Sequence, residues 1–250
     1  MDPDFLWILG IGFAAQMVDG ALGMAYGVTA NSFLLTLGFP PAAASASTHA
    51  AEVFTSGVSG LSHLAVKNVD YRLFKRLVVP GAVGAVLGAY VLTILPLPPV
   101  RFVVSLYLAV MGMMILGKGL KRPVSSTPVG KRMTLLGLAG GFFDAMGGGG
   151  WGPIVTSTLV ARGGTARMVI GSVNLAEFFV ALAASATFFV AIGHGHWWTV
   201  FGLVLGGVPA APLAAVLCRK IPNRVLMLLV GLLIVLISLR AMIHALGWLP

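Results

Sequence analysis

DGALGMAYG (residues 19–27) and DAMGGGGWG (residues 144–152) decide how this chain is read. Each interrupts a long apolar run with an aspartate and a set of glycines, and the two lie 125 residues apart, half the chain. Carried outward, residues 19–54 align on residues 144–179 without a gap. Asp19 falls on Asp144, Gly23 on Gly148, Gly27 on Gly152, Ser32 on Ser157, Ser47 on Ser172, Ala51 on Ala176, Glu52 on Glu177 and Phe54 on Phe179. The match pairs nearly every acidic residue that sits inside an apolar segment.

The 250 residues are 58% hydrophobic and only 9% charged, with a mean hydropathy of +0.98. Soluble domains carry about 25% charged residues. Apolar runs of ~20 residues, enough to cross ~30 Å of hydrocarbon, recur throughout. The composition therefore indicates a multi-pass membrane protein whose main partner is the lipid bilayer, with no room for a soluble domain. A net charge of +9 is also common in nucleic-acid binders, but here the Lys and Arg sit in short loops between apolar runs, the footprint of cytoplasmic loops. No nucleic-acid partner is expected. The single Cys218 excludes an internal disulfide and a thiolate metal cluster. The N-terminus lacks a basic n-region, so the first apolar segment is expected to stay in the mature protein. A two-fold repeat with superposed in-membrane carboxylates is the pattern of a membrane transporter.

Each repeat reads as one long glycine-interrupted stretch and three ordinary spans: 5–37, 42–66, 73–95 and 100–118, then 133–161, 166–192, 197–217 and 224–247. The boundary is the basic linker 118–132, KGLKRPVSSTPVGKR, between repeat one (1–117) and repeat two (133–250). Neither half could bury its inner face alone, so residues 1–250 are expected to form a single transmembrane domain. A helix over residues 5–37 would be ~50 Å long, too long for one crossing. Two half-length helices folded back as a hairpin fit both the length and the break.

Charge counting supports the hairpin. If each long stretch enters and leaves on one side, the repeats are inverted relative to each other. Lys67, Arg72, Lys75, Arg76, Lys118, Lys121, Arg122, Lys131, Arg132, Arg162, Arg167, Arg219, Lys220 and Arg224 then all become cytoplasmic, and only Arg101 and Arg240 lie outside. That is the positive-inside bias of a correctly threaded chain. The expected fold is thus an all-α polytopic membrane protein of two inverted repeats of about 125 residues. Each repeat is a broken, re-entrant-type helical hairpin plus three transmembrane helices.

Non-helical backbone at membrane depth is tolerated only where it is buried in protein or lines a wet cavity. At the two breaks, glycines let successive N–H groups converge, and the second half-helix offers its N-terminal dipole, which together favour an anion. Asp19 and Asp144 can equally serve as caps of those half-helices. Glu52 and Glu177 lie mid-span in STHAAE (47–52) and SVNLAE (172–177), with no Lys or Arg inside the neighbouring spans. An ionised carboxylate there must be paired or hydrogen-bonded. Either the carboxyls carry protons, or they accept hairpin N–H groups. His49 stands one helical turn from Glu52 and, with His63, raises a metal site. Its counterpart is Asn174 and no cysteine accompanies it, so a polar contact near the cavity is expected, with no metal and no cofactor. His194 and His196, beside Trp197 and Trp198, fall at an outer interface. Gly84-x-x-x-Gly88 could form a homodimer face or an internal helix contact. There is no Walker-type loop, G-x-S-x-G or H-E-x-x-H motif, so neither ATP use nor an enzyme is indicated.

Through DGALGMAYG (19–27), PPAAASASTHAAEVFTSGVSGLSH (40–63), NVDYRLF (68–74), FFDAMGGGGWGPIVTSTL (142–159) and IGSVNLAEFF (170–179), the chain resembles the TauE/SafE family of sulfite and organosulfonate exporters. The resemblance covers nearly the whole chain. It implies a secondary transporter in the bacterial plasma (inner) membrane for a small sulfur-containing anion. The first repeat departs from the family's glycine-rich pattern, since Leu22-Gly-Met-Ala-Tyr26 stands where the second has four glycines, so the half-sites are expected to differ chemically.

On this reading a small anionic substrate sits between the hairpin tips. Gly148, Gly149, Gly150 and Ser157, with Gly23, Asn31, Ser32, His49 and Asn174, contact it. Glu52 and Glu177, with Asp19 and Asp144, tune protonation or hold the scaffold. A passive anion channel, and an intramembrane metal-handling protein or enzyme built on His49, Glu52 and His63, are the rivals. In a Cys218→Ser background, a cysteine at residue 125 is expected to react with impermeant thiol reagents only from the cytoplasm, and one at either terminus only from outside. Labelling of residue 125 from outside contradicts the inverted arrangement.

Overall fold

A computed structural model of the chain describes residues 3–22, 24–65, 67–95, 97–120, 132–161, 166–193, 197–217 and 223–246. All regular structure among them is helical. Helices α1 (Pro3–Leu22) and α2 (Tyr26–Thr36) flank the first break, followed by α3 (Pro41–Ala65), α4 (Tyr71–Ile94) and α5 (Leu97–Leu120). The second broken stretch is α6 (Met133–Gly147), a π-helical turn (Trp151–Thr156) and α7 (Ser157–Ala161), followed by α8 (Ala166–Ile192), α9 (Trp197–Leu217) and α10 (Asn223–Ala245). Gly23, residues 121–131, Arg162, His194, His196, Cys218, Arg219 and Lys220 lie outside the described residues.

The breaks fall where the sequence puts them, but the arms are unequal. Helix α1 runs through Asp19 and Gly20 for 20 residues. That is ~30 Å, a full hydrocarbon thickness rather than half of one. Helix α2 has only 11 residues. In the second stretch α6 has 15 residues, and it too continues past its aspartate. The chain turns at Gly148, whose φ of 70° lies in the left-handed region that glycine enters without penalty. In repeat one Ala25, at φ 89°, makes the turn into α2.

Helix α4 starts where Asp70 caps it, its Oδ1 accepting the N–H groups of Arg72 at 2.8 Å and Leu73 at 3.2 Å. The Asp70 N–H in turn donates to Ser172 Oγ on α8 at 2.7 Å, pinning the α3–α4 loop to the other half.

The helices pack mostly across the halves: α1 on α9, α6 on α4, α3 on α8 and α5 on α10. Exchanging the halves maps this set onto itself. The surface left over is apolar, with Val190 85%, Trp198 76% and Trp7 68% exposed. Water would oppose such a coat and lipid would not. Helices spanning Tyr71–Ile94 and Met168–Ile192 are long and apolar enough to cross a bilayer, each reaching a mean hydropathy of 2.1.

The closest crossings depend on glycine. A Cβ on Gly84 would collide with the carbonyl of Leu138 in α6, and one on Gly206 with the carbonyl of Leu9 in α1. The two glycines make the same contact in the two halves although 122 residues separate them. The carbonyls they meet are 129 residues apart, so in these crossings α4 and α9 have slipped three residues, and α1 and α6 four, from the offset of 125 that holds at the breaks. The Gly84–Gly88 face is covered by α6, so in this structure the stripe serves internal packing. Gly84→Ala and Gly206→Ala are each expected to destabilise the detergent-solubilised protein by about 1–3 kcal/mol through overpacking. Gly10→Ala, whose Cβ meets nothing within 4 Å, is the control and should cost nothing. Equal melting of all three variants would mean that the close crossings do not exist.

Candidate functional site: the two helix breaks and His49

The second break is organised by Asp144. Its backbone carbonyl accepts the N–H groups of Gly148 and, at 3.0 Å, Gly149. Its carboxylate Oδ1 accepts those of Gly150 at 2.6 Å and Trp151 at 2.9 Å. Four successive N–H groups, the nest in which the sequence places a substrate anion, thus close on one residue of the protein. The anion in the nest is Asp144 itself, and the capping role is the one this geometry displays.

The other carboxylate oxygen reaches into the first repeat. Asp144 Oδ2 lies 3.1 Å from His49 Nε2 on α3. His49 is fully buried, and its Nδ1 lies 2.8 Å from the Ser45 carbonyl and 3.3 Å from Ser45 Oγ. Ser45 Oγ donates its hydrogen to the Ala145 carbonyl at 2.6 Å, so α3 grips α6 through two adjacent residues. Asn31 adds a third tie, donating from Nδ2 to the Gly147 carbonyl at 2.6 Å.

The first break repeats this scheme in weaker form. Asp19 accepts the Tyr26 N–H, as Asp144 accepts that of Trp151. Glu52 accepts the N–H of Gly27, while its Oε2 is buried without a hydrogen-bond partner and stands 3.9 Å from His49 Nε2. Asp19, Glu52, Asp144 and Glu177 are near enough to repel one another if ionised together. The hairpins touch backbone to backbone: a Cβ on Gly27 would lie 2.8 Å from the Gly148 carbonyl oxygen, and one on Gly149 would strike Val28 N. In this conformation an anion reaches the glycine N–H groups only if the hairpins move apart.

The sulfite exporter TauE/SafE family matches residues 8–241. This chain belongs to that family. It is also similar to the "Probable membrane transporter protein YtnM" of Bacillus subtilis (strain 168), 42% identical over 243 residues, covering 94% of this chain and 81% of the relative. No solved structure matches it. Membership makes the chain a membrane transporter of the TauE/SafE type and agrees with its apolar helical coat.

The structure distributes the remaining expected residues of this TauE/SafE chain unevenly. Ser32 is buried with its hydroxyl unpartnered, whereas the Ser157 hydroxyl is taken by the Pro153 carbonyl. Asn174 donates to Ser59 Oγ at 2.8 Å in the α3–α8 interface, so it does not copy the grip of His49 on an aspartate. Glu177 is partly buried on α8. His63 pairs with Asn68 at 3.4 Å, about 14 residues and ~21 Å along α3 from His49. The trio of His49, Glu52 and His63 is therefore not assembled, and Asp144 takes the third place instead.

Three side chains that the sequence did not mark as part of the site hold its backbone. Ser45 stands one turn before His49, but its counterpart Ile170 hides it from a repeat-based search. The Tyr107 hydroxyl of α5 donates to the Gly149 carbonyl at 3.2 Å. Lys118, expected in a cytoplasmic loop, ends α5 with its ammonium on the Pro153 carbonyl at 2.8 Å. Beside the cluster, a cavity of about 240 Å³ opens between α3, α8 and α9. Ser47 and Ser185, whose hydroxyls are unpartnered, line it, and Phe188 stands between it and the His49 ring, 6.1 Å centroid to centroid.

Asp144→Ala strands two buried N–H groups at about 1–3 kcal/mol each, so roughly 2–6 kcal/mol of stability is expected to be lost. Asp144→Asn retains an acceptor for them and should lose less. If thermal unfolding in detergent gives equal losses, the carboxylate does not hold the break.

Proposed function

We propose that this protein is a secondary transporter that moves a small sulfur-containing anion, sulfite or an organosulfonate, across the bacterial plasma (inner) membrane, coupled to protons. It does so as a single multi-pass transmembrane domain of two inverted repeats. The observation that carries this reading is family membership over a chain whose buried centre is rich in unpartnered hydroxyls. Those of Tyr26, Thr29 and Ser32 follow one another at three-residue steps along α2, and those of Thr48 and Thr156 come from α3 and the π turn. A sulfonate or sulfite oxygen accepts hydrogen bonds from such donors without bringing a cation into the membrane. The glycine N–H groups and Ser157 would join them only if, once the hairpins separate, they exchange their bonds to Asp144 and to the Pro153 carbonyl for bonds to the anion.

Inversion of the repeats is supported by the distribution of basic residues and by the exchange symmetry of the helix contacts. Proton coupling is supported by charge: an anion approaching Asp19, Glu52, Asp144 and Glu177 is repelled unless part of that charge is neutralised. Protons arriving with the substrate meet that need.

Purified protein in liposomes is expected to take up sulfite or a sulfonate saturably, to prefer it over carboxylates, and to accumulate it when a pH gradient is imposed. Ser32→Ala should raise KM roughly 10- to 150-fold, since one good hydrogen bond to a charged group contributes about 1.5–3 kcal/mol. Flux that rises linearly with concentration and never accumulates would identify a passive channel instead.

A further inference from the structure

His49 has one N–H whose partner is fixed and one that faces two acceptors. The Ser45 carbonyl cannot donate, and Ser45 Oγ has given its hydrogen to the Ala145 carbonyl. Nδ1 must therefore carry a hydrogen. Nε2 faces Asp144 Oδ2 at 3.1 Å and Glu52 Oε2 at 3.9 Å, both carboxylate oxygens. A bare nitrogen there would point its lone pair at oxygen lone pairs in a fully buried site. A proton must lie on the Nε2–Oδ2 line, and the two N–H groups on Oδ1 favour the form in which Asp144 is the carboxylate and His49 the imidazolium.

Building on the proton-coupled reading above, we infer that His49 Nε2 is the seat of the transported proton, which passes between Asp144 of the second hairpin and Glu52, whose carboxylate is bonded to the first. In the transfer the Nε2–H bond breaks and an O–H bond forms at Glu52 Oε2, a buried oxygen that otherwise has no partner. The imidazolium becomes a neutral imidazole that keeps its Nδ1–H, the Glu52 carboxylate becomes the acid, and no electrons change hands. The move has a mechanical consequence. Without its proton, Nε2 presents a lone pair to Asp144, and the bond that ties α3 to the second hairpin is lost. Because Nε2 carries a single hydrogen, it can bind one carboxylate at a time, so the position of the proton and the grip between the repeats change together. Asp19 of α1, Tyr26 of α2, Tyr107 of α5 and Glu177 of α8 are the other titratable groups that face this cluster. None of them is hydrogen-bonded to the ring among the described residues. The second repeat carries Asn174 in place of His49 and cannot hold this proton, so the device is single and asymmetric.

The test uses the full chain, with His49→Asn, which copies Asn174, as the variant. In protein labelled with 15N-histidine, the resonances that disappear in the variant belong to His49. Both ring nitrogens should be protonated at neutral pH. A bare Nε2, or a metal-bound signature that a chelator removes, overturns the inference. In liposomes, pH-driven accumulation should be lost in His49→Asn while anion exchange falls by a smaller factor. A variant that still accumulates, or one in which both modes fall together with thermal stability, also overturns it. Should His49→Asn fail to fold, His49→Gln supplies the assignment by difference, and Glu52→Gln is put through the transport assays and must show the same split. A wild-type protein that moves no sulfur anion refutes the transport reading instead, and the His49 resonance then decides the shared proton by itself.

Discussion

The carboxylate of Asp144 is the point on which the rest of the structure turns. A helix broken inside an apolar layer leaves N–H groups that no water can satisfy, and each stranded group costs enough to unfold a marginal protein. One residue meets four of them, with its carbonyl and with one carboxylate oxygen. That solution creates a new demand, because the second oxygen carries charge into the same layer. His49 meets it from the other half of the chain, and Ser45 fixes the ring so that it can. The break, the α3–α6 contact and the inter-repeat grip are thus consequences of one buried charge.

The same reasoning explains why the repeats are alike in plan and unlike in chemistry. The first break has Met24 and Ala25 where the second has Gly149 and Gly150, and among the described residues Asp19 accepts the N–H of Tyr26. Asn174, at the position equivalent to His49, bonds Ser59 instead of an aspartate. Asn31 reaches the Gly147 carbonyl, while its counterpart Thr156 keeps an unpartnered hydroxyl. Two-fold helix packing therefore surrounds a centre that is not two-fold.

Much of the framework was legible in the sequence because its causes are local. Length and hydropathy place α8 at 166–192 and α9 at 197–217, where the structure has them. The glycines mark the breaks because turning the chain there needs a left-handed residue or a missing side chain. The arm lengths were less legible, since nothing local stops α1 until Leu22, and the glycine at 20 is tolerated inside the helix. The slip of α4 against α9 was hidden because the offset of 125 sets Gly206 on Gly81, another glycine, and only the contacts with the carbonyls of Leu138 and Leu9 show that Gly84 is its equivalent. The pairing of His49 with Asp144 was out of reach for a different reason. It joins residues 95 apart in different repeats, and an alignment of one repeat on the other compares equivalent positions without showing which ones touch.

Charge accounting connects the site to transport. Among the described residues the centre gathers four carboxylates and one imidazole, and the ion pairs there are those of His49 itself. Backbone N–H groups disperse part of the negative charge at Asp19, Glu52 and Asp144 but cannot cancel it. An anion drawn toward hydroxyls in this setting meets attraction at short range and repulsion at long range. If an anion is what the protein carries, its entry would be favourable only with accompanying positive charge, and a proton is the one cation that needs no space in a centre where two backbones already touch. On the proposed reading, the tight contact at Gly27 and Gly149 and the negative centre are two sides of one requirement: an anionic substrate would need both a partner of opposite charge and a separation of the hairpins, and a single proton on His49 would bear on both.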